Sequence, residues 1–216
     1  MIRNRPATTP LRCAALTRVS AFTMLMLAVA SAAPAMAGTD GPREVMTKTI
    51  DAAFAILRDR SLSGKERRAH RIDQLRRVAD RTFEWSELAR SSLGVKWRTL
   101  DAAQRAQFVD VFKDVLAAQY MDDIDRFQGT ETVTVDSVVA EGDEAIVRTT
   151  LLTSSRERVP LDYRMRVIEG RWRVVDLSIE GISLVNHFRK TFTAALVNGS
   201  IEDLIVRLRR QLPATR

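Results

Sequence analysis

The spacing of apolar residues changes at Gly129, from helical periodicity before it to strict alternation after it. The clearest alternation is in the segment 159–167, where Val159, Leu161, Tyr163, Met165 and Val167 are separated by proline or charged residues. A period of two places one row of side chains on a buried sheet face and the other row in water. The chain must therefore form a half-buried antiparallel sheet that helices can cover on one side.

Four strands are predicted in this half of the chain. The first starts at Val133, and the second carries Ala145, Val147, Thr149 and Leu151 on one face. Short turns at Gly142 and Gly170 predict antiparallel hairpins, whereas the connection around residues 154–156 is longer. In the fourth strand Trp172 and Val174 share one parity and Leu177 and Ile179 the other. A β-bulge near Val175 would bring both pairs onto the same face.

Helices are predicted on both sides of the sheet segment. Pro42 is placed to begin the first, and Ser63-Gly64-Lys65-Glu66 reads as a capping box for the second. A short helix spans 86–93, and the longest runs over about 101–125 with Thr99 as its cap. Two more close the chain, the last capped at Ser200. The fold class is α+β: a single domain with a curved antiparallel sheet of about four strands packed against about six helices.

The N-terminal segment has the pattern of an export signal. Arginines at positions 3, 5, 12 and 18 precede an apolar run over 21–33, and Ala35-Met36-Ala37 has the small-x-small form of a cleavage site. The run is too short for a helical anchor, which needs about 20 apolar residues. We expect cleavage between Ala37 and Gly38, with 1–37 as signal peptide and 38–216 as the exported domain. The expected location is the periplasm.

Charge and cysteine content narrow the function classes. The whole chain carries 34 basic and 27 acidic residues, but four of the arginines belong to the predicted signal, so the exported part has 34 − 4 = 30 basic residues and a net charge of 30 − 27 = +3. An exported chain of this charge is not expected to bind nucleic acid, and it suits transient contact with anionic membrane surfaces. Because the only cysteine, Cys13, lies in the signal, the domain has no disulfide and no lipoprotein anchor is expected.

Several short motifs occur in a specific order. Phe83-Glu84-Trp85 and Leu93-Gly94-Val95-Lys96-Trp97 precede a helix with Gln104-Arg105, Phe108, Phe112, Leu116 and Tyr120. Gly170-x-Trp172-Arg173-Val174-x-Asp176, Glu180-Gly181-Ile182-Ser183 and Phe188-Arg189-x-x-Phe192 follow. Together they resemble the MlaC family of exported phospholipid-binding carriers, which includes toluene-tolerance proteins and a hopanoid-associated branch. The resemblance covers nearly the whole exported chain.

The resemblance implies an apolar cavity between helices and sheet that shields lipid tails. Nine inward-facing apolar residues are the lipid-binding candidates: Phe112, Leu116, Tyr120, Leu151, Tyr163, Met165, Trp172, Leu184 and Phe188. Ordinary core packing is the alternative role for each. The headgroup candidates are Arg98, Arg105, Arg164 and Arg189, since a guanidinium forms a planar fork that matches phosphate. Pairing with surface carboxylates or water is their alternative role.

By the same resemblance, the protein would shuttle phospholipid between an outer-membrane lipoprotein-porin complex and an inner-membrane ABC transporter complex, which maintains outer-membrane lipid asymmetry. No cofactor, metal or catalytic residue is required. Three alternatives stay open: a hopanoid-handling protein of the same family, a periplasmic adaptor with a filled core, and a small isomerase or hydrolase. The enzyme alternative is disfavoured because the chain has only His70 and His187 and shows no metal-ligand spacing or nucleophile grouping. Asp176 is expected to have a structural role.

Overall fold

A computed structural model describes residues 40–62, 64–119 and 126–212. The predicted signal peptide and its Ala37–Gly38 cleavage site lie outside these residues, as do Ser63 of the predicted capping box and Tyr120. The segment from Gly38 to Arg216 forms one compact unit.

Four helices precede the sheet. They are α1 (Pro42–Arg58), α2 (Arg68–Thr82), α3 (Trp85–Leu93) and α4 (Ala102–Gln119), with 3-10 turns at Arg60–Leu62, Lys65–Arg67 and Gly94–Thr99. Pro42 begins α1 as predicted, since proline lacks only an amide hydrogen that the first turn leaves unbonded. Gly94, with φ 57°, follows the last residue of α3, a backbone region that favours glycine.

The predicted cap of α4 is wrong by two residues. The Thr99 hydroxyl donates to the carbonyl of Lys96, at 2.8 Å, and so completes the preceding 3-10 turn. Asp101 caps α4 instead: its carboxylate accepts from the Gln104 amide at 2.8 Å, and the Gln104 side chain accepts from the Asp101 amide at 3.0 Å. This reciprocal arrangement satisfies two orphan donors, which a threonine two residues earlier cannot reach.

The sheet is a five-stranded antiparallel meander in the order β1-β2-β3-β4-β5. Its strands are β1 (Thr132–Glu141), β2 (Glu144–Leu152), β3 (Arg158–Ile168), β4 (Arg171–Ile179) and β5 (Ile182–Ser183). The first four strands confirm the predicted ones; β5 escaped prediction because two residues are too few to show alternation. At the β3–β4 turn, Glu169 and Gly170 have φ 50° and 73°, and two positive φ values are what a type I′ hairpin requires.

The predicted bulge in β4 is confirmed. Arg164 is opposite Asp176 and Met165 is opposite Val174, so Val175 is the extra residue. Val174 lies on the inner face beside Met165, and beyond the bulge Leu177 pairs with Tyr163. The bulge therefore brings apolar residues of opposite sequence parity to one face of the strand.

Two helices follow the sheet, α5 (Leu184–Leu196) and α6 (Ile201–Gln211). Ser183 caps α5 by accepting from the Asn186 amide, and Ser200 and Asp203 form a capping box at α6. Asp176 on β4 also reaches the start of α5. Its carboxylate accepts from the Ser183 hydroxyl at 2.6 Å and from the Val185 amide at 3.2 Å. The sheet is thus joined to α5 by a buried carboxylate, a structural role that agrees with the sequence-based expectation.

The buried apolar residues form two separate clusters. The helix core joins α3, α4, α5 and α6, and its centre is a group of four phenylalanine rings with centroids 5.0–5.7 Å apart: Phe108, Phe112, Phe188 and Phe192. The sheet core joins Met46 of α1 to four residues of the inner sheet face: Ala145, Val147, Met165 and Val174. Phe83, between α2 and α3, packs against both clusters.

Replacing Asp176 with alanine removes the only carboxylate that bonds the start of α5 from the sheet, among the described contacts. We expect the free energy of unfolding to fall by about 1–3 kcal/mol, because a buried amide and hydroxyl lose their acceptor. Chemical denaturation measures this change. Asp162→Ala is the matched control: Asp162 also lies in the sheet, but its Arg148 partner is 3.9 Å away and both side chains are exposed, so a change below about 0.5 kcal/mol is expected. Equal losses in the two variants would contradict the assigned role.

Candidate functional site

An apolar groove of about 520 Å³ runs between α2 and α4 and is open on one side. Helix α3 forms its base, and β4 and the start of α5 close its inner end. Its apolar lining comprises Ile72, Leu75, Ala79, Phe83, Trp85, Leu88, Leu116, Ala117, Leu177 and Leu184. We call this the lipid-sized groove after the ligand class predicted from the sequence; its volume lies in the range of roughly 300–1,000 Å³ that small-molecule sites occupy.

The groove exists because α2 does not close against α4. On α2, Ile72, Leu75 and Ala79 recur at helical spacing and face the groove. Most buried residues of α4 turn away from it into the helix core, with Leu116 at the boundary, and the main helix neighbour of α2 is α1. The space therefore lies between the two cores, next to Phe83, which packs against both.

Ion pairs connect α2 to α4 across the mouth of this groove. Arg76 pairs with Asp114 at 3.2 Å, and Asp80 pairs with Lys113 at 2.8 Å. Asp80 also accepts from the Trp85 indole at 2.8 Å, and the Lys113 ammonium lies 5.6 Å from the centroid of the Trp85 ring. We call the two ion pairs the rim pairs. Both rim pairs are at least partly exposed to solvent, and both join α2 to α4 beside the apolar lining of the groove.

The C-terminal end of α2 is attached to the sheet at the bulge. The Arg173 guanidinium donates to the carbonyl oxygens of Asp80, Arg81 and Phe83 at 3.2, 2.6 and 2.8 Å. A cation is favoured there because the last carbonyls of a helix carry partial negative charge. The Glu84 amide donates to the Val174 carbonyl at 2.8 Å. This end of α2 is therefore fixed to β4, while the helix body faces open space.

A second groove lies on the other end of α3. It has a volume of about 900 Å³ and is bordered by the segment 90–98, by Arg105 of α4 and by the α5 segment 189–197. Three of the four predicted headgroup residues line it: Arg98, Arg105 and Arg189. Arg164 does not; it is exposed on β3, opposite Asp176. We call this second space the basic groove.

The nine predicted lipid-binding residues fall into four groups. Leu116 and Leu184 line the lipid-sized groove. Phe112, Phe188 and Met165 are buried in the two cores, where their neighbours are other core side chains. Leu151, Tyr163 and Trp172 are half-buried on the sheet and line neither groove, and Tyr120 is outside the described residues. The described open space beside α2 therefore includes two of the nine residues, and the lipid-binding role of all nine stays a prediction.

Sequence reasoning missed the α2 side of the groove. Ile72, Leu75 and Ala79 were visible as an apolar row at helical spacing, and Phe83 and Trp85 belong to one of the motifs that carried the family resemblance. This apolar row predicted that one face of α2 is buried. It could not show that this face borders a groove and does not pack against another helix.

The described residues contain neither a metal-ligand cluster nor a histidine that lines either groove. Across the described ranges no cluster of three or more histidine, cysteine, aspartate or glutamate side chains could hold a metal. His70 is bonded to Gln74 at 2.8 Å, His187 packs edge-on against Phe188, and neither lines a groove. None of the described helices combines the length and apolarity needed to cross a bilayer.

The pKa of Tyr163 indicates how far water is excluded from the inner face of the sheet. It pairs with Leu177, which lines the lipid-sized groove. Although part of its side chain is accessible, burial raises the pKa of Tyr163 to about 12. The neutral phenol therefore contributes stability below the unfolded pKa of about 10, and this contribution is lost as pH rises through the folded value.

We expect the near-ultraviolet phenolate titration of Tyr163 to have its midpoint near 12. Tyr120→Phe leaves Tyr163 as the sole tyrosine, because the chain has only 2, so the absorbance change belongs to one residue. Circular dichroism recorded in parallel should show stability falling over the same interval. A midpoint near the unperturbed value of about 10, with the fold intact, would contradict a dry inner face.

Comparison with known proteins agrees with this architecture. A phospholipid-binding protein from Ralstonia solanacearum, whose structure was determined in complex with a phospholipid, matches with a TM-score of 0.67 and 22% sequence identity. The match covers 77% of this chain and 94% of that one, and it establishes the fold. Among curated proteins, no sequence matches significantly. The family model for the MlaC protein matches residues 47–210, well over half of the sequence. The chain therefore belongs to the MlaC family.

Proposed function

We propose that this protein is a lipid carrier that holds the acyl chains of a phospholipid in the lipid-sized groove. The observation that carries the proposal is the apolar space between α2 and α4, which is large enough for hydrocarbon. Family membership and the phospholipid complex of the Ralstonia solanacearum protein support the same ligand class. A binding role rather than catalysis fits a groove with ten apolar lining residues, whose charged lining residues include the rim pairs.

Hydrocarbon burial supplies the affinity in this proposal. Transfer of one methylene from water to an apolar site is worth about 0.8 kcal/mol, so ten methylenes contribute roughly 8 kcal/mol before ordering costs. The rim cations cannot add much, because Arg76 and Lys113 already pair with carboxylates. Selection among lipids therefore depends on the volume and shape of the tails.

Lipid exchange requires the groove to open, and α2 is the element that can move. Its C-terminal end is held by Arg173, whereas the two rim pairs are ion pairs at least partly exposed to solvent that join its body to α4. Exposed ion pairs contribute only about 0–1 kcal/mol each, so breaking both is a small barrier. We infer that α2 swings about its attachment at β4 and that the helix and sheet cores stay intact.

A carrier of this kind needs a donor and an acceptor. We propose that it acts in the periplasm after removal of residues 1–37, and that it moves lipid between an outer-membrane lipoprotein-porin complex and an inner-membrane ABC transporter complex. The role would be maintenance of outer-membrane lipid asymmetry. The support is family membership together with the basic and apolar pattern of the N-terminal segment.

Filling the groove should abolish lipid binding. Ala79 on α2 and Ala117 on α4 line it from opposite sides, so Ala79→Trp and Ala117→Trp each place an indole where acyl chains would lie. We expect native mass spectrometry and lipid extraction to recover phospholipid with the unchanged protein and at least tenfold less with either variant. Ala106→Trp is the matched control on α4, since Ala106 is exposed and lines neither groove. Absence of lipid from the unchanged protein, with no uptake from vesicles, would refute the carrier function.

Reversing one rim charge should speed lipid exchange. Arg76→Asp sets two carboxylates against each other at the position where Arg76 and Asp114 lie 3.2 Å apart. We expect transfer of a fluorescent phospholipid to acceptor vesicles to accelerate by roughly three- to tenfold, from the energy of one exposed pair and its reversal. The double variant Arg76→Asp with Asp114→Arg restores attraction and should restore the rate. Equal rates in all three proteins would show that α2 is not the moving element.

A further inference from the structure

The basic groove combines a large opening with charge of one sign. Its lining contains five cationic residues and, within the described ranges, no acidic one: Arg90, Lys96, Arg98, Arg105 and Arg189. The lipid-sized groove is different, because its lining includes the carboxylates of Asp73, Asp80, Asp110 and Asp114 alongside three cations. A concave surface with charge of one sign attracts ligands of the opposite charge.

Most of these positive charges are not neutralised. Arg90 pairs with Glu87 at 2.6 Å. Arg189 and Arg105 donate only to neutral carbonyl oxygens, those of Ser91 at 2.8 Å and Trp97 at 3.2 Å. The side chains of Lys96 and Arg98 form no ion pair with a carboxylate in the part of the chain that the structure describes. The groove therefore presents four uncompensated cations.

Apolar side chains project beside these cations. Val95 and Val197 are 77% and 71% exposed, and both border the basic groove. The positive φ of Gly94 lets the chain leave α3 in a direction that carries Val95 outward. Trp97 also lines the groove, with the Arg105 guanidinium 5.5 Å from its ring centroid. Surfaces that contact a bilayer interface typically combine cations, which bind phosphate, with tryptophan and exposed apolar side chains.

The position of the basic groove relative to the lipid-sized groove also fits a bilayer. Helix α3 borders both: Trp85 and Leu88 line the lipid-sized groove, whereas Arg90 and Leu93 line the basic one. From Trp85 to Leu93 the helix rises about 12 Å. Contact of the basic groove with a membrane would therefore bring the lipid-sized groove to within about 12 Å of the bilayer surface, measured along α3.

We propose that the basic groove is the surface by which this protein docks on anionic lipid bilayers. Lys96, Arg98, Arg105 and Arg189 contact the phosphates, and Val95 and Val197 enter the interface. This inference rests on the proposed carrier function for its purpose, since docking shortens the path of a lipid into the lipid-sized groove. The chemistry of the docking step is separate, because none of the residues that form the basic groove lines the lipid-sized groove.

Vesicle binding tests the proposal on the purified protein. Vesicles of phosphatidylcholine with about one-third phosphatidylglycerol should bind it at physiological salt, vesicles of phosphatidylcholine alone should bind it weakly, and half-molar salt should reduce binding to the anionic vesicles. The double variant Lys96→Glu with Arg98→Glu should bind anionic vesicles at least tenfold more weakly. The Val95→Ser with Val197→Ser variant, which leaves the charge unchanged, should weaken binding severalfold.

A control of equal charge separates docking from net charge. Arg171→Glu with Arg210→Glu changes the net charge by the same amount at exposed positions outside both grooves, and it should bind nearly as well as the unchanged protein. An equal loss in this control overturns the proposal, and so does failure of the unchanged protein to bind anionic vesicles, which would favour an acidic protein partner. Lipid occupancy by native mass spectrometry is measured on the same variants. If the protein contains bound lipid but does not bind anionic vesicles, the docking proposal is refuted and the carrier function is not. If the protein binds anionic vesicles but never contains lipid, the carrier function is refuted and the docking proposal is not.

Discussion

The extra residue at Val175 is the constraint on which the rest of the arrangement depends. Before the bulge, Val174 belongs to the sheet core, and beyond it Leu177 reaches the lipid-sized groove from the same strand. The shift also places the Asp176 carboxylate at the start of α5 and leaves the Val174 carbonyl for the Glu84 amide. A regular strand could not supply these contacts from consecutive residues, because period-two alternation would send neighbouring side chains to opposite faces.

Two cores with different partners result from that arrangement, and the groove is the consequence. The helix core is complete among α3, α4, α5 and α6, and the sheet core is complete between the sheet and α1. Neither needs the apolar face of α2 for closure. The apolar face of α2 can therefore border the lipid-sized groove while the C-terminal end of the helix stays fixed through Arg173. Its main helix neighbour is α1, its C-terminal end is attached to β4, and none of its residues 68–82 belongs to either packed cluster.

Local sequence rules predicted the parts of this fold that depend on near neighbours. Alternation over 159–167, the hairpin glycines and the parity change around Val175 gave the four main strands and the bulge, and Pro42 and Ser200 gave helix starts. The shape of the groove could not be predicted in this way. Phe112, Met165 and Phe188 were chosen because large inward-facing apolar residues suit lipid, yet such residues also fill cores best, and that is where they lie. Whether two helices touch or stand apart depends on contacts distant in sequence, which no spacing rule contains.

The separation of charge between the two grooves has a physical rationale. A groove that must admit and release hydrocarbon benefits from a neutral rim, because unpaired cations at its mouth would bind a phosphate tightly and slow release of the whole lipid. Pairing Arg76 with Asp114 and Lys113 with Asp80 gives that neutrality. The uncompensated cations lie instead at the far end of α3, where attraction to a surface need not oppose release of the tails. Affinity for hydrocarbon and affinity for a charged surface can then vary independently, since one depends on apolar area and the other on salt.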